Sequence, residues 1–143
     1  MDVYTDGGCL DNPGPGGWAA VIYDGSKSTE ISGFESSTTN QRMELRAAVE
    51  ALKRLEAPRQ VRLYSDSAYL INGMNQRWYL KWEQNGWRNS KKKPVENPDL
   101  WKELVRLSKQ HTVEWVKVKG HAGIGANERC DALVQLEIAK AKG

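Results

Sequence analysis

Apolar residues recur at helical spacing between Asn40 and Leu55. Leu45, Ala48, Val49, Leu52 and Leu55 form one stripe there, and Arg46, Glu50, Lys53 and Arg54 take the opposite face. On either side lie short β-rich runs, Val3-Tyr4-Thr5-Asp6 and Leu63-Tyr64-Ser65-Asp66, each giving way to turn or helix-start residues. A strand, a crossover helix and a second strand in this order predict a right-handed parallel unit, with neighbouring strands about 4.8 Å apart. The first strand is expected over residues 2–9, followed by a glycine-rich turn over 11–17, a strand over 18–24 and a hairpin return over 29–35. Short helices follow the fourth strand. Asn97-Pro98-Asp99 opens another helix, with Asn97 as its N-cap and Pro98 in its first turn. Residues 113–119 alternate as a fifth strand and 126–141 form a closing helix. The sum is an α/β (α+β) chain, a mixed five-stranded sheet with helices on its faces. No repeat, low-complexity tract or linker divides it, so residues 1–143 read as one domain.

This arrangement gives four acidic residues a shared context. Asp6 and Asp66 each end a predicted strand, and a parallel unit makes them neighbours. Two carboxylates that close repel, and must share a proton or bind a cation. Glu44 falls at the edge of the apolar stripe and leans toward the sheet, while Asp131 follows a glycine-rich loop. Ordinary readings stand beside this one. Asp6 suits a turn before Gly7-Gly8, Asp66 suits an N-cap before Ser67, and Glu44 favours the positive end of its helix. The convergence of several carboxylates favours a cation. His121 lies in the loop Gly120-His121-Ala122-Gly123-Ile124-Gly125, where a near-neutral side chain between glycine hinges suits proton transfer or product release, although a single His is also often structural. His111 reads as a surface residue.

Charge adds a second region. The chain carries a net charge of +3, yet Arg77, Lys81, Arg88, Lys91, Lys92 and Lys93 face only Glu83 between residues 77 and 93, so the remainder is net acidic. Trp78, Tyr79, Trp82 and Trp87 are interleaved with those cations. Such a basic, Trp-rich protrusion, at about 77–94, suits a polyanion with exposed sugars and bases. Alternatively, Trp78 and Trp82 pack on each other at i,i+4 spacing. Cys9 and Cys130 are too few and too far apart for a zinc site with the two histidines, and read as reduced thiols. No apolar run approaches the roughly 20 residues of a membrane span, and no signal peptide precedes the first strand, so a cytoplasmic protein is expected.

Five stretches together carry a specific likeness: Tyr4-Thr5-Asp6-Gly7-Gly8-Cys9, Asn12-Pro13-Gly14, Thr39-Asn40-Gln41-Arg42-Met43-Glu44-Leu45, Ser65-Asp66-Ser67, and Gly120-His121-Ala122-Gly123 followed by Asn127-Glu128-Arg129-Cys130-Asp131. In this order and spacing the chain resembles type 1 ribonuclease H of the bacterial kind. The resemblance implies a ribonuclease H-like fold, with strand order 3-2-1-4-5 and helices on both faces of the sheet. It implies an endonuclease that cuts the RNA strand of RNA–DNA hybrids to 5′-phosphate and 3′-hydroxyl ends, using two Mg²⁺ ions with Mn²⁺ as substitute. Asp6, Glu44, Asp66 and Asp131 are then the metal ligands, and His121 assists turnover. Cys9 through its backbone, Asn12, Asn40 and Gln41 are carried over as contacts to the 2′-hydroxyl. Trp78, Trp82, Lys91, Lys92 and Lys93 would grip the DNA strand, and Asn97 would meet a DNA phosphate. A monomer is expected. Turn and cap roles account for Asn12, Asn40 and Asn97 as well. A junction resolvase or integrase core of the same acidic-site superfamily, and a non-catalytic hybrid-binding module, are the competing readings. The compact domain with its basic protrusion argues against the first, and the full set of carboxylates against the second.

Overall fold

The computed structural model describes residues 1–56, 58–119 and 125–143. Its elements are β1 (Asp2–Cys9), β2 (Gly14–Asp24), β3 (Lys27–Thr38), α1 (Asn40–Lys53), β4 (Gln60–Ser65), α2 (Ala68–Asn75), α3 (Trp78–Asn85), α4 (Pro98–Ser108), β5 (Thr112–Lys117) and α5 (Gly125–Lys142). The sheet has the order β3-β2-β1-β4-β5, as expected. β1, β2 and β3 form an antiparallel meander, and Gly25, at φ 61°, makes the tight β2–β3 return in which Asp24 faces Lys27. β4 and β5 run parallel to β1, each reached by a crossover.

β2 and β3 are longer than the sequence pattern indicates. Gly14, Gly16 and Gly17 read as turn residues, yet they lie in β2. The absence of side chains there serves packing. A Cβ on Gly17 would come within 2.7 Å of the Glu137 Cβ, so this glycine lets α5 cross the sheet closely.

The two sheet faces are covered by different helices, as the alternation along β2 demonstrates. Ala20 and Ile22 join Val3, Val61 and Leu63 under α1, α2 and α4, whereas Ala19 packs with Val134 and Ile138 of α5. The α1 stripe is fully sealed, with Leu45, Ala48 and Leu52 at 0% exposure. Truncating such a leucine to alanine costs about 2–5 kcal/mol. Thr39 caps α1, its hydroxyl accepting from the Arg42 N–H at 3.1 Å, and thereby sets the rotation of the helix over the sheet.

Beyond α2 the chain forms the basic segment. Trp78 packs against Trp82 with ring centroids 6.1 Å apart, and both reach the buried Trp101 of α4. Lys91, Lys92 and Lys93 are all exposed at the tip. Their loop is tied by Asn89, whose side-chain oxygen accepts from the Lys91 and Lys93 backbone N–H groups.

Two sequence expectations need correction. His111 is buried at 8% exposure, because its Nδ1 accepts the Arg59 backbone N–H at 3.2 Å and draws the ring beneath the start of β4. Asn97 stands at the N-cap position of α4 but makes no capping bond with its side chain. Its backbone is left-handed, at φ 54°, so the amide turns to Arg42, which donates to Oδ1, and to the Tyr69 hydroxyl, both at 3.5 Å. Arg42 also holds Asp99 through two bonds of 3.0 and 2.6 Å.

Candidate active site

The parallel register builds the site. Asp2, Val3 and Tyr4 pair with Arg62, Leu63 and Tyr64, and the pairing stops there. Two residues further along each strand, the same offset sets Asp6 against Asp66 just where the strands part. Asp6 is not at the end of β1, as the sequence pattern implies, because β1 continues along β2 to Cys9. What ends before Asp6 is the pairing with β4. Ser67, and not Asp66, caps α2, accepting the Leu70 N–H at 3.1 Å. Asp66 is therefore left without the capping role that was its ordinary explanation.

Glu44 arrives from the helix above. A Cβ on Gly7 would lie 2.6 Å from the Glu44 backbone nitrogen, so only glycine lets α1 come this close to β1. Carboxylate oxygens of Asp6, Glu44 and Asp66 all lie within 4.8 Å of one another. Asp6 accepts the Gly7 N–H at 2.9 Å, and Glu44 accepts from the Ser65 hydroxyl at 3.4 Å. These bonds do not offset the crowding. Burial, then the Asp66 charge and more weakly that of Asp131, push the Asp6 carboxyl up to about 7. Burial raises Glu44 well above the usual carboxylate range, with the Asp6 and Asp66 charges adding to it. Hard oxygen donors, short of counter-charge and gathered at this spacing, fit a hard divalent cation such as Mg²⁺ or Mn²⁺.

Asp131 stands outside that tight trio but lines the same cavity, of about 240 Å³, from α5. Asn127, Glu128 and Gln135 join it. Their spacing from Asp131 on one helix, at i−4, i−3 and i+4, is the signal by which sequence reasoning could have found them. His121 lies outside the described residues.

The proposed 2′-hydroxyl contacts form a clip beside the carboxylates. The Cys9 N–H donates to Asn40 Oδ1 at 2.8 Å, the Asn40 N–H donates to Asn12 Oδ1 at 2.9 Å, and the Cys9 thiol reaches that same oxygen at 3.4 Å. Asn40 does not cap α1, a role Thr39 takes; the side-chain acceptors of Asn12 and Asn40 are engaged in these bonds instead. Gln41 is exposed at the start of α1. Cys130 is a free thiol, fully buried beneath the site, donates to the Tyr4 carbonyl at 3.3 Å and is pushed up to about 12, mainly by burial. It is a packing residue. The Lys91–Lys93 tip, the half-buried Trp78 and Trp82, and Asn97 belong to the basic segment and its root.

Sheet order, crossovers and carboxylate cluster define the class as a ribonuclease H-like fold with a nuclease's acidic site. The model of the RNase H family matches residues 1–139, and the chain belongs to that family of nucleases, in its type 1 bacterial form. Among its relatives, the ribonuclease H of Caldanaerobacter subterraneus subsp. tengcongensis is 58% identical over 141 residues, 98% of this chain and 92% of the relative. That of Symbiobacterium thermophilum is 56% identical over 137 residues, 96% of this chain and 93% of the relative. Among solved structures, LC9-RNase H1, described as a type 1 RNase H with the type 2 active-site motif, superposes with a TM-score of 0.84. It is 33% identical, with 98% of this chain and 72% of that one covered. LC11-RNase H1, solved in complex with an RNA/DNA hybrid, shares the fold with a TM-score of 0.70 at 24% identity, covering 99% of each chain.

Proposed function

We propose that this chain hydrolyses the RNA strand of RNA–DNA hybrids endonucleolytically, leaving 5′-phosphate and 3′-hydroxyl ends. The observation that carries this reading is the trio of Asp6, Glu44 and Asp66, with oxygens within 4.8 Å of one another and Asp6 pushed up to about 7. Two Mg²⁺ ions, with Mn²⁺ as substitute, would be held by these three carboxylates and Asp131, and when bound they supply charge stabilisation at the attacking and leaving oxygens. Asp6 would serve both ions, Glu44 and Asp66 would serve the leaving-group side, and Asp131 the nucleophile side.

The remaining roles belong to the chain's own groups. His121 takes or gives a proton as product leaves. The amide hydrogens of Asn12, Asn40 and Gln41, beside the Cys9 backbone, select the ribose hydroxyl that distinguishes RNA from DNA. Trp78, Trp82, Lys91, Lys92, Lys93 and Asn97 hold the DNA strand through stacking surface and phosphate contacts. Residues 1–143 act as one domain and as a monomer in the cytoplasm. No described helix is long and apolar enough to cross a membrane.

A hybrid labelled on either strand, incubated with the protein and Mg²⁺, tests the reading. RNA-strand fragments with 5′-phosphates are expected, none in EDTA, and none from RNA or DNA duplexes. Cleavage of duplex DNA at a comparable rate would replace the reading with a junction-resolving or strand-transfer enzyme.

A further inference from the structure

Arg42, in the first turn of α1, joins three elements through one side chain. Its guanidinium holds Asp99 of α4 through two bonds of 3.0 and 2.6 Å, and its Nε lies 3.9 Å from Glu35 of β3. Two carboxylates thus stand against one half-buried guanidinium, so Arg42 offers a phosphate little net attraction of its own. What remains of its donor capacity is directed at Asn97. The Nη1 group that bonds Asp99 also donates to Asn97 Oδ1 at 3.5 Å. On the other side of the amide, Nδ2 donates to the Tyr69 hydroxyl at 3.5 Å, and that oxygen also accepts from Trp101 Nε1 at 2.8 Å.

Both amide contacts are long, and their value lies in sense more than in energy. A guanidinium has only donors, so it can meet only the carbonyl edge of an amide. Reversing the Asn97 amide would set its NH₂ against the Arg42 donors and turn its carbonyl the other way. The NH₂ carries two hydrogens, of which the Tyr69 hydroxyl takes one, and the second has no partner among the described residues. The backbone agrees with this arrangement. Asn97 is left-handed, at φ 54° and ψ 43°, a conformation costly for most residues and best tolerated after glycine by Asn and Asp. That turn withdraws its side chain from capping α4. A phosphate oxygen accepts hydrogen bonds and is repelled by a carbonyl, so only one amide orientation can meet it. We propose that Arg42 is a positioning residue for substrate binding, turning the Asn97 amide so that a donor, and not the carbonyl, meets a phosphate of the DNA strand. This rests on the contact between Asn97 and DNA proposed above, and adds the group that orients it.

The test measures binding in EDTA to a short RNA–DNA hybrid whose DNA strand carries one neutral methylphosphonate, placed at each position in turn. At the position that meets Asn97 the parent should lose about tenfold in affinity, as loss of a hydrogen bond to a charged group implies. Asn97→Ala identifies that position, because there the loss disappears. Arg42→Gln should erase the loss at that same position and no other, weaken binding of the unmodified hybrid by about tenfold, and add nothing when combined with Asn97→Ala. Asp99→Asn, at an exposed carboxylate that clamps Arg42, should diminish the same loss, and it supplies the answer if Arg42→Gln does not fold. A loss kept in full in the folded variant, a fall in affinity spread evenly over all positions, or additive effects of Arg42→Gln and Asn97→Ala would each overturn the positioning role and leave the Asn97 contact standing. If Asn97→Ala removes no loss at any position, the contact itself fails, and the inference falls with it.

Discussion

On the reading proposed above, Asp6 concentrates the chemistry of the site in one side chain. Replacing it with Asn removes charge and keeps shape, so cleavage should fall below a few per cent while hybrid binding persists, as a gel-shift assay beside a cleavage assay would reveal. The same change has a pH signature without metal. A carboxyl whose folded pKa is about 7, above its ordinary value, contributes stability only while protonated. That contribution is complete below about pH 4 and lost as pH rises through 7. Asp6→Asn should therefore melt about 2–4 °C above the parent at pH 8, for roughly 1 kcal/mol relieved, and match it at pH 4. Groups such as Asp99, held low by Arg42, titrate in both proteins and cancel in the difference. A lower melting temperature at pH 8 would make Asp6 a structural residue. At this scale the sequence was legible where context repeated. Asp6 and Asp66 sit in matching β-rich patterns, although β1 runs past Asp6 to Cys9, and Glu44 sits on a readable helix face. His111 and Asn97 were not legible, because a single backbone bond to Arg59 buries one and a left-handed φ reorients the other.

The elements carry two further predictions. Gly7 is the point where α1 rests on β1, so Gly7→Ala should destabilise the fold by about 1–3 kcal/mol in urea unfolding and displace Glu44, lowering activity beyond what stability explains. Unchanged stability would mean the two elements have room to spare. In the basic segment, replacing Lys91, Lys92 and Lys93 together by Ala should raise KM and flatten the salt dependence of hybrid binding, with kcat near the parent value. A fall in kcat at constant KM would instead make the segment part of the catalytic geometry. α1 was legible from its periodicity and α4 from Asn97-Pro98-Asp99, and Thr39 was not, although it is the residue that caps α1. The glycines of β2 misled, because a glycine that admits a crossing helix and one that makes a turn look alike in one sequence.

Across the molecule, the crossover rule made the parallel pairing of β1 and β4 readable, while the full strand order came from the family resemblance and the strand lengths were not readable. The site itself depends on β1, α1, β4 and α5 meeting, so metal binding and global stability should be linked. Mg²⁺ at ten times its Kd should stabilise the protein by about 1.4 kcal/mol, and Asp6→Asn by much less, in melts with and without EDTA. Equal gains in both would locate the ion elsewhere.

α5 packs across β1, β2 and β3 and brings Asp131 to the cavity, while Arg129 ties it to Glu30 of β3 through bonds of 2.6 and 3.0 Å. The other three carboxylates lie within the first 66 residues. During synthesis, the first four strands and the crossover helix leave the ribosome long before this helix exists. On the reading proposed above, the nascent chain then has a partial acidic pit and no fourth ligand. The order in which the chain is made thus brings the fourth proposed ligand in with α5, after the strands and helix that carry the other three.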